Sequence, residues 1–257
     1  MAKFSTETIE SLRKNIRDSI PQLSVNCIIF RMYEQKLQVP VVLPFNRNTW
    51  VIPGGFVNQS ESLEEAATRI LFEQTQIEAL LLTQFGTFGS VDRYIDYKES
   101  KIEDVIIPED ILEWLSQRFV TIGYYSVLSD PDIELKTSPV FQKVKWIDLK
   151  GASGLGMDHS ILVTEARKVL SRDLLSLPVI QSFMPEEFTI PELQKLYEAI
   201  LDRPIDRGNF RKRILKSKNL IKTGQLKENS KRRPPVLYRL DTKNYLNSLN
   251  QDIKLGF

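Results

Sequence analysis

The segment that most constrains the fold is Pro53-Gly54-Gly55 together with the helix predicted directly after it. Ser62 and Glu65 have the spacing of a capping box, which predicts a helix that begins at Ser62 and runs to about residue 74. Its apolar residues recur at helical spacing: Leu63, Ala66, Ala67 and Ile70. The segment 50–52 before the proline is predicted to be a short strand, so the pattern describes a strand, a tight loop and an amphipathic helix.

Strands and helices alternate irregularly along the first 175 residues. Val- and Ile-rich runs predict strands, and apolar residues three and four apart predict helices. Helices are expected over 7–18, 108–115 and 158–170, and further strands over 23–32, 37–43, 79–88, 119–128 and 139–147. Because this order is not a regular strand-helix alternation, it favours a mixed α/β sandwich over a doubly wound sheet.

Composition excludes several classes of protein. With 257 residues, of which 42% are hydrophobic and 26% charged, the chain is neither disordered nor collagen-like. The single cysteine, Cys27, lies in an apolar run and is expected to be a buried strand thiol, which excludes an intrachain disulfide. No apolar stretch reaches the length of a membrane span, and the N-terminus lacks the apolar core of a signal peptide. We therefore expect a cytoplasmic protein without a membrane partner.

Charge is nearly balanced overall, with 35 Lys and Arg against 33 Asp and Glu, but it is unevenly distributed. Between Arg203 and Arg233 there are twelve basic residues and two acidic ones. This segment also has regular apolar spacing, which a solvated basic tail would not need. The pattern predicts a folded surface that binds a polyanion, nucleic acid above all.

The C-terminal quarter has the element order of a winged helix-turn-helix. Thr189 and Glu192 form a capping box for a first helix, and Asp206 is placed to cap a second. A strand at 220–221, a basic loop over 223–233 and a strand over 236–240 follow. In such a domain the second helix enters the major groove and the loop follows the phosphates. The alternative is a basic helical hairpin that only packs on the first domain.

This interpretation predicts the residues that bind DNA and the limits of the domains. The predicted DNA-binding residues lie on the second helix and in the loop: Arg207, Asn209, Arg211, Lys212, Lys216, Lys231, Arg232 and Arg233. The predicted parts are a first domain over 1–175 with a polar excursion at 94–117, a linker at 173–187, the winged helix at 188–243 and a tail at 244–257.

The spacing Gly55-x5-Glu61-x7-Arg69 resembles the first half of the Nudix box. The resemblance implies a Nudix α/β/α sandwich with a mixed sheet. It also implies carboxylate ligands for divalent cations at positions 70, 73 and 74, where this chain has Ile70, Glu73 and Gln74. The glycine of the family pattern falls on Gln76.

This departure argues against hydrolysis. A diphosphate is cleaved with the help of cations that neutralise the phosphates and activate water, and three carboxylates on one helical face would hold them. Glu73 alone remains, beside the box remnants Gly55, Glu61 and Arg69. We expect no catalytic residues, no metal site and no cofactor; Mg²⁺ would be needed only if the protein were a hydrolase. The single histidine, His159, is expected to be a packed ring at a helix start.

A Nudix domain followed by a winged helix resembles the Nudix-related transcriptional regulators of bacteria. The similarity extends over segments such as 85–93, 157–162, 188–198 and 209–212. It implies operator DNA, a homodimer and a small effector, either a sugar, a sugar phosphate or an ADP-ribose-like molecule. The residues expected to line the effector pocket flank the Nudix loop and helix: Arg47, Trp50, Gly55, Glu73, Phe88 and Asp92.

Two other functions stay open at this point. The chain could be a hydrolase of nucleoside diphosphate derivatives with an unusual ligand set, in which case the basic domain would be a regulatory or RNA-binding appendage. Alternatively, the first domain could be a scaffold for protein interactions.

Overall fold

The computed structural model describes residues 6–44, 48–78, 81–91, 93, 108–136, 141–174, 177–226 and 236–243. These residues fall into two units. The first contains the described residues up to Lys168, except for 31–37 and 127–131, which belong with the described residues from Val169 onward to the second unit.

The elements of the chain up to Asp173 are those of a mixed α/β domain, as the sequence predicts. In order they are α1 (Thr6–Asp18), β1 (Ser19–Tyr33), β2 (Lys36–Pro44), β3 (Gly54–Asn58), α2 (Leu63–Thr75), β4 (Thr83–Phe88), α3 (Glu109–Leu115), β5 (Val120–Val127), β6 (Phe141–Asp148), a 3-10 helix (Leu149–Gly154) and α4 (His159–Asp173).

Strand β1 organises the main sheet. The strand order is β4-β5-β1-β2-β6, and β3 also pairs with β1 in antiparallel orientation. The middle of β1 is an almost continuous run of apolar residues that are fully buried, as expected for a strand covered on both faces. Cys27 lies in this run, where burial raises the pKa of its thiol to about 12. The predicted buried strand thiol is confirmed.

Helix α2 begins where its sequence predicts. The Ser62 hydroxyl accepts a hydrogen bond from the Glu65 amide, and the Glu65 carboxylate accepts one from the Ser62 amide. The helix ends at Gln76, whose φ of 59° is left-handed. Glycine adopts this conformation without strain, which explains in physical terms why the family pattern has glycine here. The helix buries Ala66, Ala67 and Leu71 against the sheet domain.

Two strand predictions were wrong in their limits. Residues 50–52 form no strand; only Val51 makes a bridge, to Val42, and the strand β3 instead begins at Gly54. Gly54 pairs with Asn26 of β1, and because a Cβ at position 54 would clash with the Asn26 side-chain amide, this pairing requires glycine. The strand expected over 79–88 begins at Thr83; Leu81 before it is exposed, and residues 79 and 80 lie outside the described part.

The described part of the excursion packs on the first unit through α3. Ile111 is fully buried, and Asp110 pairs with Arg13 of α1 at 2.9 Å. Trp114 meets Phe56 of β3 edge to face, with ring centroids 4.6 Å apart, and also contacts Phe119 at 5.0 Å. Residues 94–107 lie outside the described part of the chain.

The second unit contains a winged helix. It is formed by α5 (Leu177–Phe183), β7 (Phe188–Thr189), α6 (Ile190–Leu201), α7 (Arg207–Lys216), β8 (Leu220–Leu226) and β9 (Val236–Leu240). The small sheet has the order β7-β9-β8. The predicted capping box of Thr189 and Glu192 and the predicted cap by Asp206, which accepts from the Asn209 amide at 2.8 Å, are both present. Phe210 is buried against Tyr197.

Helix α5 lies within the segment predicted to be the linker. Pro178 is its second residue, a position where proline interrupts no helical hydrogen bond. Val179 and Ile180 are buried, so at least this part of the segment is folded. The limits of the domains and the tail remain predictions. None of the described helices is long and apolar enough to cross a membrane.

Candidate functional site

Arg69 ties the loop after β3 to α2. Its guanidinium donates to both carboxylate oxygens of Glu61, at 2.6 and 2.8 Å, and to the carbonyl of Phe56 at 3.1 Å. Glu61 also accepts from the Asn58 amide. The hydrogen bonds from Arg69 lower the pKa of the Glu61 carboxyl, against the opposing effect of burial. The two box remnants therefore hold the loop in shape, whether or not a metal binds nearby.

Glu73 is the one carboxylate left at the expected ligand positions. Its side chain is 55% exposed and pairs with Arg69 at 3.2 Å. A single exposed carboxylate that already neutralises an arginine is a poor ligand for a hydrated divalent cation. Among the described residues, no group of three or more His, Cys, Asp or Glu side chains is placed to hold a metal ion.

Ile70 occupies the first of the other two positions and is buried. It packs against Gly55: a Cβ at Gly55 would lie 3.1 Å from the Ile70 Cδ1 atom. A carboxylate at position 70 would be desolvated in this place, which costs several kcal/mol unless a cation compensates. The Ile70 side chain thus fills the space between α2 and β3 with apolar contacts.

Gln74 occupies the remaining position and makes two hydrogen bonds to the backbone of Gly54, the first residue of β3. Its Oε1 accepts from the Gly54 amide at 3.1 Å, and its Nε2 donates to the Gly54 carbonyl at 2.8 Å. A carboxylate could only accept, and its second oxygen would face a carbonyl oxygen. The amide is therefore suited to this contact in a way that the family's glutamate is not. We call this pair the Gln74–Gly54 clamp.

Residues at the start of α4 and just before it make hydrogen bonds to the chain that precedes β3. The buried His159 ring accepts from the Ile52 amide through Nδ1 at 3.0 Å, and the Gly156 amide donates to the Trp50 carbonyl. Asp158 pairs with Arg93 at 2.6 Å. The expectation that His159 is a packed ring is confirmed, and its role is to satisfy a buried backbone amide.

The residues predicted for the effector pocket are only partly brought together. Gly55 contacts Ile70, and Glu73 pairs with Arg69. Trp50 is half-buried under Lys145, whose ammonium lies 4.1 Å from the ring centroid, and Phe88 packs against Phe85 on β4. Arg47 and Asp92 lie outside the described residues. The pocket as a whole therefore stays a prediction.

Sequence reasoning missed three features of this region. The clamp is not predictable from the family pattern, which at position 74 shows only the loss of a ligand. The stacking of Lys145 on Trp50 and the pair of Arg93 and Asp158 join segments far apart in sequence. For Lys145 a weak signal exists in the exposed lysines at alternate positions of β6.

The predicted DNA-binding residues of α7 are exposed. Phe210 points inward, Ile214 is half-buried, and the predicted residues on the helix are exposed: Arg207, Asn209, Arg211, Lys212 and Lys216. The remaining three, Lys231, Arg232 and Arg233, lie outside the described part. A basic, exposed second helix in a winged helix fits the major groove of DNA.

Comparison with family models assigns both domains. The NUDIX domain model matches residues 21–169, and the model "NrtR DNA-binding winged helix domain" matches residues 180–240. The chain belongs to the NUDIX domain family. The predicted combination of a Nudix domain and a DNA-binding winged helix is thereby confirmed.

Individual relatives agree with this assignment. The Nudix protein is 28% identical over 232 residues to the ADPR responsive transcriptional repressor NtrR of Acinetobacter baylyi, which covers 88% of this chain and 84% of the relative. It is 27% identical to Shewanella oneidensis NrtR in a crystal structure with a 27mer DNA, with a TM-score of 0.59 and coverage of 88% and 96%. An RNA pyrophosphohydrolase of Pelagibacter ubique is 27% identical over 144 residues, 56% of this chain and 87% of that enzyme.

The clamp predicts that restoring the family residue destabilises the Nudix domain. In Gln74→Glu, the Gly54 carbonyl loses its donor and faces a carboxylate oxygen, so we expect a loss of about 2 kcal/mol in the free energy of unfolding at pH 7.5. The loss should shrink at pH 5, because a protonated carboxyl donates again. Urea unfolding measures both values. The exposed Gln84→Glu is the control and should change stability by less than about 0.5 kcal/mol. A Gln74→Glu protein as stable as the parent at both pH values would contradict the clamp.

Proposed function

We propose that this Nudix protein is a bacterial transcriptional regulator, whose winged helix binds operator DNA and whose Nudix domain senses ADP-ribose or a related sugar phosphate. The observation that carries the proposal is the joint presence of two features in one chain. One is a winged helix with an exposed basic α7. The other is a Nudix helix in which two ligand positions, Ile70 and Gln74, are buried in structural contacts. Since operator DNA is the proposed ligand, the proposed place of action is the bacterial cytoplasm.

ADP-ribose is the effector favoured by the comparisons. The Acinetobacter relative is named for its response to ADPR, and its similarity extends through both domains. ADP-ribose carries a diphosphate and two riboses, so it offers anionic oxygens and hydroxyls to a polar site. Pentoses and pentose phosphates share part of this chemistry and belong in the same panel of ligands.

The proposal includes sensing without turnover. In-line attack on a diphosphate requires cations that bridge its oxygens, and the described residues offer Glu73 alone at the positions that would hold them. The second candidate function, hydrolysis, is favoured by the similarity to the RNA pyrophosphohydrolase and by the intact Glu61–Arg69 pair. The hydrogen bonds by which this pair holds the loop after β3 explain the pair without a role in hydrolysis.

A turnover assay separates the two candidates. We expect the protein with ADP-ribose and Mn²⁺ to release AMP no faster than its Glu73→Ala variant, as measured by mass spectrometry. The same comparison is made for capped RNA ends and nucleotide sugars, with the hydrolysis products of each ligand measured. The matched control is Glu78→Ala, an exposed residue just beyond the same helix. Clear activity that Glu73→Ala removes and Glu78→Ala retains would establish the hydrolase instead.

DNA binding should divide between base contacts from α7 and phosphate contacts from the loop. Arginine addresses guanine and asparagine addresses adenine in the major groove, so Arg211→Ala or Asn209→Ala should cost about 1–3 kcal/mol and relax the sequence preference. Neutralising Lys231, Arg232 or Arg233 should weaken binding to all sequences and lower the salt slope by about one unit. Fluorescence anisotropy over a salt series measures both. Binding that changes with neither set would refute this DNA surface.

Effector and DNA should be linked through a homodimer. A two-fold dimer reads two half-sites at a fixed spacing, so an effector that changes the placement of the winged helices changes DNA affinity. By linkage, ADP-ribose must then bind DNA-free protein more tightly than the DNA complex by the same factor, typically 5- to 150-fold. Titration calorimetry with and without the operator measures the factor, and sedimentation measures the dimer. Equal affinity in both states would leave the scaffold function as the better account.

A further inference from the structure

Three exposed residues lie on the side of α7 opposite its buried residue Phe210. They are Gly208, Lys212 and Leu215, at spacings of four and three. All three are exposed. We call this line the outer stripe. If α7 enters the major groove with Phe210 toward the core, as proposed, the outer stripe faces the base edges.

Leu215 is unusual in its surroundings. It is 39% exposed, and among the residues from Val169 onward whose side chains the structure describes, it is the one exposed large apolar side chain. Its sequence neighbour Lys216 and the helix neighbours Arg211 and Lys212 are all cationic and exposed. An apolar side chain surrounded by cations on a surface suited to DNA has one apolar partner in the major groove, the 5-methyl group of thymine.

No contact among the described residues explains why position 208 is a glycine. It lies in the first turn of α7, where its backbone is helical, and glycine is the poorest helix former after proline. A Cβ at this position would meet only a carboxylate oxygen of Asp206, at the ordinary contact distance of 3.5 Å. Neither a left-handed conformation nor a close neighbour within the described chain therefore requires glycine here. The remaining use of glycine is to let another molecule approach the helix backbone closely.

We propose that the outer stripe reads a thymine in each operator half-site: Leu215 contacts its methyl group, and Gly208 lets the helix backbone approach the DNA closely enough for that contact. This rests on the proposed function and goes beyond it, because it assigns a base and a chemical group to named residues. Lys212, between the two, supplies the positive charge that favours the groove.

The test uses the full-length protein and duplexes that the wild type selects from a randomised library. In those duplexes each thymine is replaced in turn by deoxyuridine, which removes only the methyl group. Wild-type protein should lose affinity about fourfold at one thymine of each half-site, the effect of one methyl group no longer buried. Leu215→Ala should bind the thymine duplex about fourfold more weakly and should show no further loss with deoxyuridine at that position.

Gly208→Ala tests the close approach. It should weaken binding to every selected duplex at least tenfold, while the melting temperature of the free protein stays the same or rises, since alanine favours the helix. The matched controls are Ile161→Ala, an exposed apolar residue of α4, and Gly151→Ala, where a Cβ meets nothing within 4 Å. Both should bind every duplex as the wild type does.

The possible results distinguish a failure of the thymine proposal from a failure of the proposed regulator function. If the wild type selects no preferred sequence, the DNA-reading function fails and the outer stripe has nothing to read. If a sequence is selected but the deoxyuridine losses persist in Leu215→Ala, the assignment of Leu215 is overturned while the regulator function stands. Unchanged affinity in Gly208→Ala would overturn the close approach.

Discussion

The pairing of the Gln74 amide with both backbone groups of Gly54 is the interaction on which the Nudix domain of this protein depends. It joins α2 to the first residue of β3 at the position where the family pattern has a carboxylate. Ile70 packs beside Gly55 of the same strand, and the Arg69 guanidinium donates to the Phe56 carbonyl of β3 and to Glu61 in the loop that follows. These three direct contacts join α2 to β3 and its loop, and the buried Ile70 side chain occupies one of the positions where the family pattern has a metal ligand.

Much of this arrangement could be predicted from local patterns. The capping boxes of α2 and α6, the cap by Asp206 and the buried Cys27 follow from residue spacing within a single element, and the structure has each of them. The order helix, helix, strand, loop, strand was enough to indicate the winged helix, since each of its elements carries its own start or stop signal.

The features that were not predicted join residues far apart in sequence. Nothing in the spacing of residues 50–55 shows that Gly54, and not Trp50, pairs with β1, because that choice depends on the close approach to Asn26. Likewise, His159 reaches the Ile52 amide across 107 positions. The role of Gln74 is not predictable for another reason. The family pattern shows only that a carboxylate ligand is lost at position 74, whereas the hydrogen bonds of Gln74 to Gly54 depend on the fold.

The two domains differ in what explains their unusual residues. In the Nudix domain, two positions where the family pattern has cation ligands make structural contacts, and in the winged helix, Gly208 and Leu215 have no structural role that the described residues reveal. Sensing without turnover is tested most directly by adding ADP-ribose to a preformed operator complex in the presence of EDTA. Release of the DNA is followed by anisotropy, and the ligand is then recovered and weighed by mass spectrometry. We expect full release of the DNA, with one intact ADP-ribose bound per subunit. Release that requires Mg²⁺ and yields AMP and ribose 5-phosphate would contradict sensing without turnover.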